Sequence, residues 1–416
     1  MKKIIILFLF LGYGAIAQNK ITLEECYQLA DKNYPIAKQE QILKERLSYE
    51  VASINKDKLP KIALNAQATY QSDVTKAPAF VPAFSAEPLN KDQYRSTLDI
   101  NQIIYNGGSI NANAKLKEAQ TKTLQQQSQI TLYKLKSQIN QYYFTVLIIQ
   151  NKISLLLAKK NLLNEKIKEI KTGVKFGAVL PSSEDVIEAE IIKINQQLVD
   201  SSFEKKKLIE NLSELTLTPF DENTVLSDPT IAVAQKEITR PELAFYDLQN
   251  QQLETSKNVV SKSNFPKINA FAQMGYGNPG LDMLKNEFTT FYITGLKLNW
   301  NILDWNKTKK DLVALDFSKQ LIANEKETFE LNVRMQLQET EKEIQKIEEL
   351  ISSDKDIILL REKIVKSADS QMRNGVITTS EYLNEVTQLF ESKNNQKTHE
   401  VQLNLTKANY QIIQGK

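Results

Sequence analysis

Four short stretches of this 416-residue chain alternate apolar and polar residues with a period of two, and nearly everything between them follows a helical period. Ile62, Leu64, Ala66, Ala68 and Tyr70 alternate with Lys61, Asn65, Gln67, Thr69 and Gln71, and Tyr94, Ser96, Leu98 and Ile100 alternate with Arg95, Thr97, Asp99 and Asn101. The pattern returns when Ile268, Ala270, Ala272, Met274 and Tyr276 face Lys267, Asn269 and Gln273, and when Tyr292, Thr294, Leu296, Leu298 and Trp300 face Lys297, Asn299 and Asn301. A period of two puts all the apolar members on one side, so the pattern predicts strands at about 61–71, 94–104, 267–277 and 290–301, each with one apolar face. Loops at Ser72 to Asp92 and Asn278 to Glu287 join them into two hairpins.

Helical spacing precedes and follows each hairpin. Ile36, Leu43, Leu47, Val51 and Ile54 lie between Pro35 and Pro60, and a similar helix is predicted from Leu243 to Val260 after Arg240-Pro241-Glu242. After the first hairpin, Leu132, Ile139, Val146, Ile153, Lys160 and Ile167 run beside Leu135, Tyr142, Ile149, Leu156, Leu163 and Ile170 in heptads; only Lys160 is not apolar. A 3.5-residue period is that of a coiled coil. Val333, Leu337, Ile344, Ile347, Ile351 and Ile358 continue the scheme after the second hairpin, broken by Thr340 and Asp354. The long helices are expected at about 109–172 and 306–373, each close to ~100 Å at 1.5 Å per residue. Each stops at a glycine turn, Phe176-Gly177 or Asn374-Gly375, and Ser or Thr followed by an acid starts a return helix, at about 183–217 and 379–413.

The chain therefore says nearly the same thing twice. Pro35 and Pro60 have the spacing of Pro241 and Pro266, and Gly108 and Gly177 have that of Asn306 and Gly375. This divides the chain into a first repeat at 18–217, a connector at 218–240 and a second repeat at 241–416. Two long copies are too few for a solenoid and suggest one pseudo-symmetric fold.

Composition narrows the class. Residues 1–17 carry two lysines, a short apolar run and the ending Ala15-Ile16-Ala17, as expected of a cleavable secretory signal. The single cysteine, Cys26, allows no intrachain disulfide. Removal of Lys2 and Lys3 with the leader takes the formal charge from +3 to about +1, which leaves no basic surface for nucleic acid. No later segment resembles a transmembrane helix, so a membrane span must be made by strands. About 9 to 11 tilted residues suffice for that, yet two hairpins cannot close a barrel and open edges cannot sit in lipid. Three copies would supply twelve strands, with the long helices continuing as a tube.

In this light the chain resembles the TolC-like outer membrane efflux family. The resemblance rests on Arg240-Pro241-Glu242-Leu243, on the proline that ends each short helix and opens a strand, on Asn101-Gln102-Ile103-Ile104-Tyr105-Asn106-Gly107-Gly108, and on the paired turns at Phe176-Gly177 and Asn374-Gly375. It implies a mainly α fold with a transmembrane β part: a homotrimer with a twelve-stranded barrel and an α-helical periplasmic tunnel, in the outer membrane of a Gram-negative bacterium. It implies the exit duct of a tripartite efflux or type I secretion system, working with a periplasmic adaptor and an inner membrane transporter. Gly177, Ala178, Val179, Leu180, Ser183, Gly375, Val376, Ile377 and Thr378 would form the adaptor-binding tip, and Asp185, Glu381 and Asn384 are the positions matching the acids of a periplasmic gate. Tyr70, Tyr94, Tyr276, Tyr292 and Trp300 are the candidates for the interfacial girdle of a barrel. Phe80 and Phe84 lie in the long first loop.

Two rival classes fare less well. The one histidine, His399, lies on what reads as a polar helix surface, outside any cluster with metal-ligand spacing, and no phosphate loop follows a strand; no enzyme, cofactor or metal is expected. A periplasmic coiled-coil scaffold or adaptor would share the long hairpins, but not their repeated placement after strands of membrane length.

Overall fold

The computed structural model describes residues 20–75, 88–177, 179–222, 224–233 and 237–416. The expected leader, Ala178, Phe80 and Phe84 lie outside the described residues. In chain order the elements are α1 (Leu23–Asn33), a 3₁₀ turn (Pro35–Lys38), α2 (Gln39–Lys56), β1 (Lys61–Tyr70), β2 (Asp92–Tyr105), α3 (Ser109–Lys175), α4 (Ser182–Thr216), α5 (Pro241–Ser263), β3 (Lys267–Asn278), β4 (Thr289–Asn299), α6 (Lys307–Arg373) and α7 (Thr379–Gln414). The fold class is as the periodicities predict, with two hairpins, each preceded by a shorter helix and followed by an antiparallel pair of long ones. The residues form two compact units that do not coincide with the sequence repeats, because each draws on both copies.

One unit comprises Gln39–Ser128 and Glu242–Phe329. It holds a four-stranded antiparallel sheet in the order β1-β2-β3-β4, so the two hairpins join through β2 and β3. The registers run through Leu64↔Leu98↔Met274↔Tyr292 on one face and Ala63↔Asp99↔Gln273↔Ile293 on the other. Among the described residues, β1 and β4 are each paired on one side only. Lys257–Asp316 (2.7 Å) and Lys326–Asp247 (2.8 Å) tie α5 to α6. The duplication extends to backbone conformation: Gly107 and Gly108 precede α3 with φ of 69° and 82°, and Trp305 and Asn306 precede α6 with φ of 51° and 62°. Glycine is needed at Gly107, where a Cβ would collide with Phe265.

The other unit comprises the N-terminal segment to Lys38, Gln129–Pro241 and Glu330–Lys416. Its main core gathers Leu23, Cys26 and Ala30 of α1, Ile139, Tyr143, Phe144 and Val146 of α3, Leu208, Ile209 and Leu212 of α4, and Val401 of α7. Burial pushes the Cys26 thiol up to about 12, with Glu25 adding to the effect, so it packs as a small protonated hydrophobe. The connector docks on this core: Tyr143 Oη donates to Ser227 O (2.7 Å), and Leu226 N donates to Gln150 Oε1 (3.0 Å).

Helix α1 was not anticipated from apolar spacing, since its eleven residues supply only three buried positions. Its start was nonetheless written in the sequence: Thr22 and Glu25 form a reciprocal capping box, the same Thr-x-x-Glu device that Thr378 and Glu381 form at α7. His399 also departs from expectation. It is part-buried rather than solvated, with Nδ1 2.6 Å from Asp354 Oδ2. That contact gives a physical reason for the heptad break at Asp354, because an apolar residue there would strand the imidazole.

Candidate functional site

Two regions carry the candidate residues, one in each unit. The first is the sheet. Its apolar face stands in the open: Leu64 is 74% exposed, Leu296 73%, Leu298 62% and Met274 57%. A soluble monomer rarely shows a contiguous apolar surface of this kind, which marks a face that meets lipid or another chain. Tyr70, Tyr94, Tyr276 and Tyr292 share that face by register parity; the first three gather at the hairpin-loop end, where Tyr70 pairs with Asp92, Tyr94 with Ala68 and Tyr276 with Ser96, while Tyr292 lies further in, opposite Met274. Phe288 stacks on both Tyr94 and Tyr276, with centroids 6.2 and 5.4 Å away. Trp300 follows β4 at the other end of the sheet, 54% exposed. Tyr70, Tyr94 and Tyr276 thus form one rim, and Tyr292 and Trp300 stand apart from it.

The opposite face is polar. Gln273 Nε2 donates to Asp99 Oδ1 (2.6 Å), Asn65 Nδ2 donates to Asp99 Oδ2, and Thr97 Oγ1 donates to the same oxygen (3.3 Å). This network joins β1, β2 and β3 and keeps the carboxylate satisfied without a cation. Phe291 lies over Gly275 and Phe271 against Gly295, each ring filling the space beside a cross-strand glycine. Arg95 sits over the Phe291 ring, 5.5 Å from its centroid.

The second region is the turns that end α3 and α6. Gly177 and Gly375 both have φ of 71° with nothing within 4 Å of where a Cβ would sit, so the backbone angle, not crowding, requires glycine. Gly375 N donates to Met372 O (3.1 Å) and Val376 N to Gln371 O (2.8 Å), the two bonds of a Schellman cap. Thr378 then caps α7, its Oγ1 accepting from Glu381 N (3.2 Å) while Glu381 Oε2 accepts from Thr378 N (2.7 Å). The bond from the Thr378 backbone, then that from its hydroxyl, hold the Glu381 carboxyl below the usual range. The matching cap expected in the first copy is absent: α4 begins after Pro181, which offers no side-chain acceptor, and Glu184 and Asp185 sit in its first turn. Asp185, Glu381 and Asn384 are all exposed.

Apolar side chains crown these turns, with Phe176 77%, Leu180 72% and Val376 70% exposed. A groove of about 610 Å³ separates them, lined by Val179, Leu180, Ser183, Gly375, Val376, Ile377 and Thr378 among others. Beside it is a charged cluster that apolar periodicity did not reveal. Lys166, 6% exposed, bonds Asp369 (2.6 Å) across from α6 and Glu169 (2.7 Å) on its own helix. Arg373 meets the same two acids at 3.0 and 3.3 Å. One turn pair earlier, Lys159 bonds Glu190 (2.7 Å) and donates to Thr387 Oγ1 (3.0 Å). Burial opposes the Lys166 charge most, but the bonds to Asp369 and Glu169 outweigh it and raise its pKa overall. The seven-residue spacing of Lys159 and Lys166 was the available signal, since it places both on one helix face beside the apolar seam.

No protein-family model and no curated protein matches the chain. Solved structures do. A CusC structure, described in terms of transmembrane channel formation, superposes with a TM-score of 0.70 at 10% identity, covering 94% of this chain and 92% of its own. The open state of the Neisseria gonorrhoeae MtrE outer membrane channel gives 0.67 at 12%, with 94% and 89% covered. The outer membrane protein VceC of Vibrio cholerae gives 0.64 at 14%, with 94% of each chain covered. The fold is that of the TolC-like outer membrane channels. In the TolC-like fold seen here, the four-stranded sheet and the paired helix turns account for both candidate regions, and the similar structures are channels, not enzymes. Among the described residues no group of three or more His, Cys, Asp or Glu could hold a metal ion, and no helix is long and apolar enough to cross a membrane.

Proposed function

We propose that this chain is the exit duct of a tripartite efflux or type I secretion system, a homotrimer in the outer membrane of a Gram-negative bacterium. The observation that carries the proposal is the open sheet: an exposed apolar face rimmed by tyrosines, with both edges unpaired among the described residues, on a chain whose remainder is mainly helical. Edges cannot face lipid, so the face can enter a bilayer only if other copies continue the sheet. Three copies close it at twelve strands, with the polar face lining the lumen. Exposed apolar stripes on the helices support assembly too, including Ile192, Val199 and Phe203 of α4 and Val313, Phe317 and Leu321 of α6. Their occupant is the neighbouring copy.

The adaptor, and through it the inner membrane transporter, meets the glycine turns at Gly177, Ala178, Val179, Leu180, Ser183, Gly375, Val376, Ile377 and Thr378. Their exposed apolar residues are the anchors. Exchange of Val376 for Asp should leave trimer and location intact while abolishing export, read as restored drug or detergent susceptibility in a strain whose own copy is deleted; unchanged resistance would refute this assignment. Glu381, Asp185 and Asn384 remain the gate positions, with the Glu381 carboxylate also serving its cap.

The deciding experiment is the mass and membrane location of the detergent-extracted protein. A trimer in the outer membrane fraction is expected. A soluble periplasmic monomer or dimer would instead favour the scaffold class.

A further inference from the structure

The strands carry six charged residues, Lys61, Asp92, Arg95, Asp99, Lys267 and Lys297. The register places five of them on one face. Lys61 pairs with Asn101, Arg95 with Gln67, Asp99 with Ala63 and Gln273, Lys267 with Asn299, and Lys297 with Asn269, all on the polar side. Only Asp92, opposite Tyr70 at the loop end, has the other parity. The polar face thus holds four cations and one acid.

Their neutralisation is uneven. Lys61 has Asp57 at 2.9 Å, and Arg95 rests on Phe291. Asp99 is bonded by three neutral donors. Lys267 and Lys297 are exposed and have no ion pair among the described residues. They lie within two residues of each other in register, at the end of the sheet away from the hairpin loops, the end that Lys61 also occupies on the far edge strand β1.

Resting on the duct proposed above, in which this face lines the lumen, we infer that the sheet segment selects for anionic cargo, such as solutes bearing carboxylate, sulfonate or phosphate groups. In a closed trimer the lysines repeat three times around the wall as a basic ring, and Asp99 repeats as a weaker, opposing one. Rings of Lys or Arg favour anions in a pore, and a wall set in lipid focuses their field into the water it encloses. The sign is opposite to that expected of carboxylates at the periplasmic gate, so the sheet and the gate would discriminate differently.

The test is the chloride-to-potassium permeability ratio of the purified full-length protein, from reversal potentials in planar bilayers under a potassium chloride gradient. Low salt is used, where screening is weak. Lys267→Gln/Lys297→Gln should lower the ratio by about twofold or more, and Asp99→Asn should raise it. Lys297→Gln alone, the mildest change, should move the ratio in the same direction as the double variant. Ratios that stay at the parent value, or move in the opposite senses in conducting trimers, would overturn the inference and leave the duct standing. A trimer that conducts neither as the parent nor with its tip opened by Lys166→Met would overturn the duct reading, and this inference with it.

Discussion

Replacement of Leu64 by Arg should abolish the outer membrane trimer. Leu64 is 74% exposed at the centre of the apolar face, in the row Leu64↔Leu98↔Met274↔Tyr292, so in a barrel its side chain points into the hydrocarbon. A guanidinium on the lipid face near the midplane costs about 2–4 kcal/mol per site. Threefold symmetry multiplies that cost, against a net stability of only about 5–15 kcal/mol for a typical fold. The control is Thr69→Arg, on the same strand but on the polar face opposite Gln93. It should give normal amounts of trimer on gels of unheated outer membrane fractions. If both variants assemble equally, the apolar face does not meet lipid and the duct reading fails; if neither does, the strand tolerates no bulky cation and the face assignment loses its support.

The contrast between those two positions was legible in the sequence, because a strand's period of two assigns faces without any knowledge of its neighbours. Leu64 and Thr69 differ by an odd number of residues and therefore point to opposite sides, whatever sheet they join. The heptad in α3 was equally readable: Ile139, Val146 and Leu163 are all fully buried. The glycine turns were readable too, since a left-handed residue at a helix end leaves few alternatives to glycine. What the pattern could not show were polar residues whose burial depends on a partner far along the chain. Lys159 and Lys166 carry no apolar signal, and only the approach of Glu190, Thr387 and Asp369 makes burying them tolerable. His399 was misjudged for the same reason, its partner Asp354 having registered only as a flaw in an apolar repeat. Pairing of β2 with β3, which makes one sheet of two hairpins, is likewise a long-range choice that no local period encodes.

Lys166 supports the second large effect: Lys166→Met should open the tip without any adaptor. Among the described residues this lysine is the one cation that both lies buried and bridges α3 to α6, through Asp369 at 2.6 Å. Its ammonium also stands 5.5 Å from the Tyr382 ring of α7, so three of the four helices that meet at the turns converge on it. Methionine fills a similar volume but leaves Asp369 and Glu169 sharing Arg373 alone. Breaking a fully buried pair costs about 3–5 kcal/mol; here water reaches Asp369, 28% exposed, and Glu169, 52%, so about 2 kcal/mol is expected. That is enough to shift a closed-to-open ratio more than tenfold. Single-channel recordings at neutral pH should then show a large, steady conductance in place of a small one. Because Lys166 has a raised pKa when folded, its link is fully present below the ordinary lysine value and is lost only as pH climbs through the raised one. The parent channel should therefore stay closed from neutral into mildly alkaline solution, and Lys166→Arg, which keeps the charge, should stay mostly closed as well. A parent channel already wide open at neutral pH, or a Lys166→Met variant indistinguishable from it, would show that this cluster holds helices together without holding the tip shut.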